Sequence, residues 1–366
     1  MKKILLLFFV VINVNSQYSK VFQPLDVFDL EYVSNTEISP NGDKVLYQRN
    51  FNDIMTDQSF SNIWLINFDG SGNQPITTGN FKDNSPKWSN KGDKFIFKSN
   101  RNGKQQIFLF DLSNNSIQKL TNFQYSIGSL RWSPDDKYIL FSSFVDDKRK
   151  KLIKMPEKPK GAKWNDPPIE ISDLNYKYDS SGFRKPGETQ FFTLPVSGGT
   201  PRQISNIPSE KRAGQGEWID SNKIVFSANL NEDSDYNPNN TELYILDIDS
   251  GKHIPITDRD GPDFGPKVSN DRSLIAYLGY DDEYLSYQQN SIYVMKSDGS
   301  DKYKIKLDLD RDIYNIHWSG NDKKIYFQYD DKGITKIGST TLDGIHEAIV
   351  DEVGGLSFSR PYSGGF

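Results

Sequence analysis

Cysteine is absent from the 366 residues. Its absence removes a disulfide framework, a thiolate metal site, a cysteine nucleophile and a lipid-bearing N-terminal cysteine from consideration. Histidine is scarce: His253, His317 and His346 stand far apart and in unrelated contexts, so neither a zinc spacing nor a Ser-Asp-His set is recognisable. Neither a G-x-S-x-G nucleophile elbow nor a G-x-x-x-x-G-K-[ST] phosphate loop occurs. An excess of basic charge is missing too. Lys and Arg number 44 against 49 Asp and Glu, interspersed for a net charge of −5, which leaves no basic face for a phosphate backbone and argues against nucleic acid as a partner. Long apolar runs are confined to 4–12, too short to span a bilayer, so no membrane span is expected. Two lysines before that run, and small or polar residues after it, predict a secretory signal peptide over 1–16. An exported, periplasmic or secreted protein follows as an expectation. Clustered carboxylates at 258–263 and 308–312 could ligate calcium. Turn-forming Asp is the preferred reading, and no metal or cofactor is expected.

Aromatic residues, in contrast, are plentiful at 13%, with 23 Phe and 19 Tyr, which suits β-sheet. The organising stretch is 84–122, in which KWSN, KFIFKS, QQIFLFDL and IQKLTN read as four short strands separated by the turns NKGD, RNGK and a Ser/Asn cluster. Alternation places Phe95 and Phe97 on one side of a strand and Ile96 on the other, and Phe108 and Phe110 repeat the pattern in the next. The same unit recurs. Aligned on the first strand, Ile38, Trp88, Trp132, Trp218, Val268, Trp318 and Phe358 occupy one column, at intervals of 40 to 50 residues apart from one longer gap. Four strands per repeat at this period predict an all-β fold, a β-propeller of four-stranded antiparallel blades: six complete blades plus the first strand of a seventh. The repeated Ser-Pro/Asn-x-Gly/Asp turns look like a WD40-like, TolB-type blade, since Gly-His and Trp-Asp pairs do not recur.

In chain order, 17–35 is a lead-in, with 25–33 read as a short helix carrying Asp26 as N-cap. The propeller then occupies 36–366. Blade three is interrupted over 145–187 by an insertion rich in Lys, Pro, Asp and Tyr, which must stand on the rim because packed strands have no room for it. Its Lys run is read as a solvated edge rather than a docking patch. Polar and aromatic loops in blades four and five supply the candidate binding residues. Glu232, Asp233 and Asp235, and likewise Asp281 and Asp282, could pair with a free amino terminus, while Tyr280 and Tyr287 could flank an extended peptide. No catalytic residue is assigned.

Several stretches are more selective than the turns. LDVFDLEYVSNTEISPNGDKVLY at 25–47, DLNYKYDSSGF at 173–183, TQFFTLPVSGGTPRQIS at 189–205, AYLGYDDEYLSYQQNSIYVMKSDGS at 276–300 and SRPYSGG at 359–365 resemble one family. It is the propeller of the S9 (prolyl oligopeptidase) serine peptidases, in the branch of the acylaminoacyl peptidases and dipeptidyl-peptidase 5. The resemblance implies a substrate-gating, peptide-binding propeller that precedes an α/β-hydrolase domain carrying the Ser-Asp-His triad. It implies further that short peptides are the partners, and that the hydrolase domain is to be expected C-terminal to Phe366, outside this chain. The chain by itself is then expected to be inactive. A rival reading is a TolB-type periplasmic propeller serving as a protein-protein interaction scaffold. A weaker third is a lyase or glycosidase working in its own channel.

Overall fold

The structure, a computed structural model, describes residues 21–146, 156–165, 168–171, 174–179, 182–208, 211 and 213–353. The expected signal peptide, most of the Lys run and the expected seventh-blade strand at Phe358 lie outside the described residues.

Blade two shows how the sequence makes the unit. Its strands are Asn84–Trp88, Lys94–Ser99, Gln106–Asp111 and Ser116–Lys119, hydrogen-bonded in consecutive antiparallel order. Phe95 pairs with Phe110 and Phe97 with Phe108 across the middle strands. The alternation expected from sequence then separates two cores. Phe95, Phe97, Phe108 and Phe110 pack with Leu46, Ile63 and Leu65 of blade one, while Ile96, Ile107 and Leu109 pack with Leu130, Ile139 and Phe141 of blade three. This sheet therefore buries both faces, one against each neighbour, and gains about 2 kcal/mol or more per large side chain removed from water.

The same four-stranded order recurs in all six described blades, which span 32–75, 84–119, 130–203, 217–255, 263–304 and 313–350. Buried clusters also join blades three and four around Phe191 and Phe226, four and five around Val225 and Tyr277, and five and six around Leu278 and Phe327. Among the described residues, none of these clusters joins blade six to blade one.

Two devices tie first strands, or the turns that follow them, across blade boundaries. The column of tryptophans identified from sequence is the first. Trp88 Nε1 donates to the Glu37 carbonyl at 3.0 Å, Trp132 to the Lys87 carbonyl at 2.9 Å and Trp318 to the Lys267 carbonyl at 2.8 Å, each across a blade boundary. Where blade five has Val268 instead, Arg272 Nη1 reaches back to the Trp218 carbonyl at 2.7 Å. Trp218 Nε1 itself is buried without a partner. The second device is in the turns. Asn90 donates through its backbone N–H and its Nδ2 to Asp136 in the next blade's turn at 2.8 and 2.7 Å, and Asn270 repeats this with Asp322 at the same distances.

The lead-in differs from expectation. It forms a 3-10 helix over Pro24–Asp29, started by the fixed φ of Pro24, and Asp26 sits inside it and accepts from the Gln23 N–H at 2.8 Å rather than standing at the cap. Tyr32 and Val33 belong to the first strand of blade one, Tyr32–Ile38. Within the insertion, Lys177–Tyr178 and Gly182–Phe183 pair as a small hairpin.

Substituting Trp132→Phe deletes an interblade donor while keeping most of the ring, and is expected to cost about 1 kcal/mol. Trp218→Phe deletes an N–H that has no acceptor and is expected to cost less. Urea denaturation followed by far-UV circular dichroism compares the two; an equal or reversed order contradicts the assigned role of the indole N–H.

Candidate functional site: a charged belt in the axial channel

Because first strands are tied at the junctions of blades one and two, two and three, four and five, and five and six, equivalent residues meet around the axis. The position before the tryptophan column holds Glu37, Lys87, Arg131, Glu217, Lys267 and His317, one from each blade. In blades one, two, five and six the pairing with the second strand slips just before this position, between Ser34 and Glu37, Asn84 and Lys87, Phe264 and Lys267, and Tyr314 and His317. Inside each slip one residue takes a left-handed conformation: Asn35, Ser85, Gly265 and Asn315, at φ of 49, 55, 61 and 49°. Such a bulge bends the strand and re-aims the side chain that follows it. Asn35 is held there by donating from Nδ2 to Gln48 Oε1 at 2.7 Å, and Asn315 is held by Gln328 in the same way.

The belt is ion-paired across blades. Lys87 pairs with Glu37. Arg131 donates from Nε and Nη2 to Glu217 Oε1 at 3.1 and 3.0 Å, with Nη2 also reaching Gln215 Oε1 at 3.1 Å. Lys267 approaches the same Glu217 oxygen at 3.6 Å. Burial pushes the Lys87 ammonium down to about 8, helped by the nearby Arg131 and only partly opposed by Glu217. Burial alone would raise the Glu217 carboxyl, but Arg131 and Lys267 outweigh it and hold Glu217 below its ordinary range. The Glu217 charge in turn raises Arg131. Crowding by the wall, then Lys267, pushes the His317 imidazole down. The ring is therefore neutral at neutral pH.

A cavity of about 530 Å³ opens beside the belt, lined by Asn35, Ser85, Lys87, Lys98, Arg131 and Gln215 among others. Antiparallel order puts the connections between second and third strands, and those between blades, on one end of the propeller. The cavity therefore lies at the end where the insertion and the long loops of blades four and five emerge.

The residues singled out from sequence stand on that end, outside the belt. Glu232, Asp233 and Asp235 lie exposed on a turn of their own, closed by the Tyr236 and Asn237 N–H groups donating to the Asp233 carbonyl. In blade five, Asp281 stands 3.5 Å from Arg259, and the Asp282 N–H donates to the Asp260 carbonyl at 3.0 Å. Asp282 Oδ1 accepts from the Tyr284 N–H and from Gln288 Nε2, both at 2.8 Å, and these bonds hold its carboxyl low. Tyr280 is half-buried, whereas Tyr287 is 80% exposed. The structure thus brings the blade-five carboxylates onto the 258–263 connection, and leaves the blade-four carboxylates on a separate turn. That connection also carries a staple. Arg259 pairs with buried Asp263 and lies 4.0 Å over the Tyr293 ring, as Arg101 pairs with Asp83 at 2.6 Å and covers Phe97 and Phe108 in blade two.

Lys87 gives a pH test. Its folded amine loses a proton near 8, while the unfolded amine keeps it to about 10.5. Between those values the unfolded chain binds more protons, so stability rises with pH across that window, by on the order of 2 kcal/mol from this group. Lys87→Met is expected to remove that part of the slope in urea titrations at pH 8 and 10; an unchanged slope counts against a desolvated Lys87.

Comparison with known proteins fits this geometry. Residues 37–161 match the family described as TolB beta propeller domain. The uncharacterized peptidase YuxL of Bacillus subtilis is 25% identical over 232 residues, 60% of this chain and 33% of that protein. Dipeptidyl-peptidase 5 of Porphyromonas gingivalis is 23% identical over 333 residues, 86% of this chain and 47% of that protein. The chain thus spans from a third to about half the length of these curated relatives. Among solved structures, the uncomplexed Pyrococcus horikoshii acylaminoacyl peptidase superposes with a TM-score of 0.67 at 18% identity, covering 90% of this chain and 47% of that one. The chain is a β-propeller, similar over residues 37–161 to the TolB beta propeller domain family and, at 23 to 25% identity, to curated peptidases.

Proposed function

We propose that this chain is the substrate-gating propeller of an exported S9-type serine peptidase that releases short peptides or acyl-amino acids. An α/β-hydrolase domain then follows Phe366 in the complete protein. The observation that carries the reading is the axial channel. First strands of neighbouring blades lie side by side, ion-paired side chains link them, and a polar cavity opens beside them at the end that carries the long loops. An extended peptide is narrow enough to enter at such a mouth, whereas a folded domain is not. The matches to peptidases support the same reading. Glu232, Asp233 and Asp235 would then receive a free amino terminus at the rim, with Tyr280, Asp281, Asp282 and Tyr287 flanking the peptide. The TolB description of the family favours a second reading, an interaction scaffold with no enzymatic partner domain.

The purified chain is expected to show no turnover of dipeptidyl or acylaminoacyl chromogenic substrates above buffer. Reading the gene beyond Phe366 separates the two proposals: an open frame running into a G-x-S-x-G region supports gating, and a stop codon supports the scaffold. In the full-length enzyme, Glu232→Gln with Asp233→Asn is expected to raise KM for free-amine substrates about tenfold with kcat little changed. An unchanged KM removes the rim carboxylates from the site.

A further inference from the structure

The cavity at the channel mouth is lined by three cations, Lys87, Lys98 and Arg131, and by no carboxylate. Both acids of the belt within reach are already spoken for. Glu37 serves Lys87, and a single oxygen of Glu217 serves Arg131 and Lys267 together. Lys98 reaches backbone carbonyls, donating to Gly128 at 3.0 Å and Ile127 at 3.5 Å. With His317 neutral, four cations on blades two, three and five face two carboxylates on blades one and four. The excess positive charge sits on the cavity wall. Ser129 and Ser142, 3.0 Å apart through their hydroxyls, and Gln215 add neutral hydrogen-bonding groups around it.

We propose that this mouth is a carboxylate-binding site, with Lys87 and Lys98 as its donors, so that the channel favours peptides presenting a carboxylate. Two ammonium groups from adjacent strands of one blade suit the two oxygens of a planar monoanion. The Arg131 fork, filled by Glu217 and Gln215, contributes its field rather than a free donor. The cost of holding these ammoniums away from bulk water is already built into the fold: burial lowers both Lys87 and Lys98. A bound anion relieves that cost, which is the physical source of the affinity. The charged groups facing Lys87 are Glu37, Lys98, Arg131, Glu217, Lys267 and His317. Of these, Glu217 is held below the ordinary carboxylate range and stays ionised where Lys87 titrates. The ligand class deepens the gating reading and rests on it; the anion site itself rests on the cavity alone.

The test uses the full chain at pH 7 and dye-labelled short peptides of one sequence: the free acid, its C-terminal amide, and the amide with one Asp added. Fluorescence anisotropy is expected to show the free acid binding about tenfold tighter than the plain amide. Recovery of that factor by the Asp-bearing amide means side-chain carboxylates are accepted; no recovery means the site reads the α-carboxylate; either supports the site. Lys98→Met, which keeps the apolar stem, is expected to abolish the acid-over-amide preference, with circular dichroism confirming the fold. Raising the pH of the wild-type chain through 8 is expected to weaken the preference without any substitution. Independently, succinate alone is expected to raise the Lys87 titration from about 8, followed by NMR of labelled lysine and assigned with Lys87→Met. Peptides that fail to bind, with succinate still moving Lys87, overturn gating and leave the carboxylate site standing. Equal binding of acid and amide, with Lys87 unmoved by succinate, overturns the site.

Discussion

One hydrogen bond, repeated around the axis, sets the geometry on which everything else rests. The indole N–H in the first strand of blades two, three and six donates to the backbone carbonyl one column earlier in the preceding blade. The cores between blades supply most of the stabilisation, but apolar packing is non-directional and would tolerate small slippage of one sheet along its neighbour. A directed N–H to carbonyl bond does not. It fixes the level of the first strands it ties, and the Arg131–Glu217 ion pair links blades three and four, where the Trp218 N–H makes no such bond. Arg272 shows that the constraint, rather than the tryptophan, is retained: where Val268 replaces the indole, a guanidinium from the following turn reaches the neighbouring first strand.

That level is where the chemistry gathers. Bulges at Asn35, Ser85, Gly265 and Asn315 break the pairing just ahead of it, and the residues at this level meet as a belt of mixed charge. The belt is a compromise between desolvation and pairing. Glu217 stays ionised because two cations outweigh its burial, whereas burial, helped by Arg131, lowers Lys87 despite its carboxylate neighbours. A channel wall of this kind is rigid at its strands and unsatisfied at its mouth, which suits a passage that discriminates by charge.

Much of the fold was readable from the residues. The alternation of Phe95, Ile96 and Phe97, and of Phe108 and Phe110, correctly assigned side chains to two different interblade cores, because strand periodicity is local and each face has a single neighbour. The tryptophan column gave the repeat and its blade boundaries. The belt lay one residue away from that column and was missed. Its residues differ in charge from blade to blade, so they look unrelated until the strands are known to converge. The available signal was positional: Glu37, Lys87, Arg131, Glu217, Lys267 and His317 all precede the aligned residue, and all can carry charge. Loop residues were legible as exposed and polar but not as neighbours. Asp281 and Asp282 turned toward the 258–263 connection through Arg259 and Asp260, contacts that no sequence spacing announces. The lead-in was misjudged at its end, since the β-branched and aromatic pair Tyr32 and Val33 was drawn into the first strand by pairing with Arg49 and Asn50.

The absence of cysteine makes the central claim directly measurable. Single cysteines placed as Lys267→Cys and Arg131→Cys in the belt, and as Asp301→Cys on an outer turn, can be challenged in parallel with a small thiol reagent and with a maleimide on a long polyethylene glycol chain. If the column before the tryptophans faces a narrow lumen, the belt cysteines react with the small reagent and are slow with the large one, whereas the turn cysteine takes both. Belt cysteines labelled by the large reagent as fast as the turn position would show that those six strands do not enclose a channel.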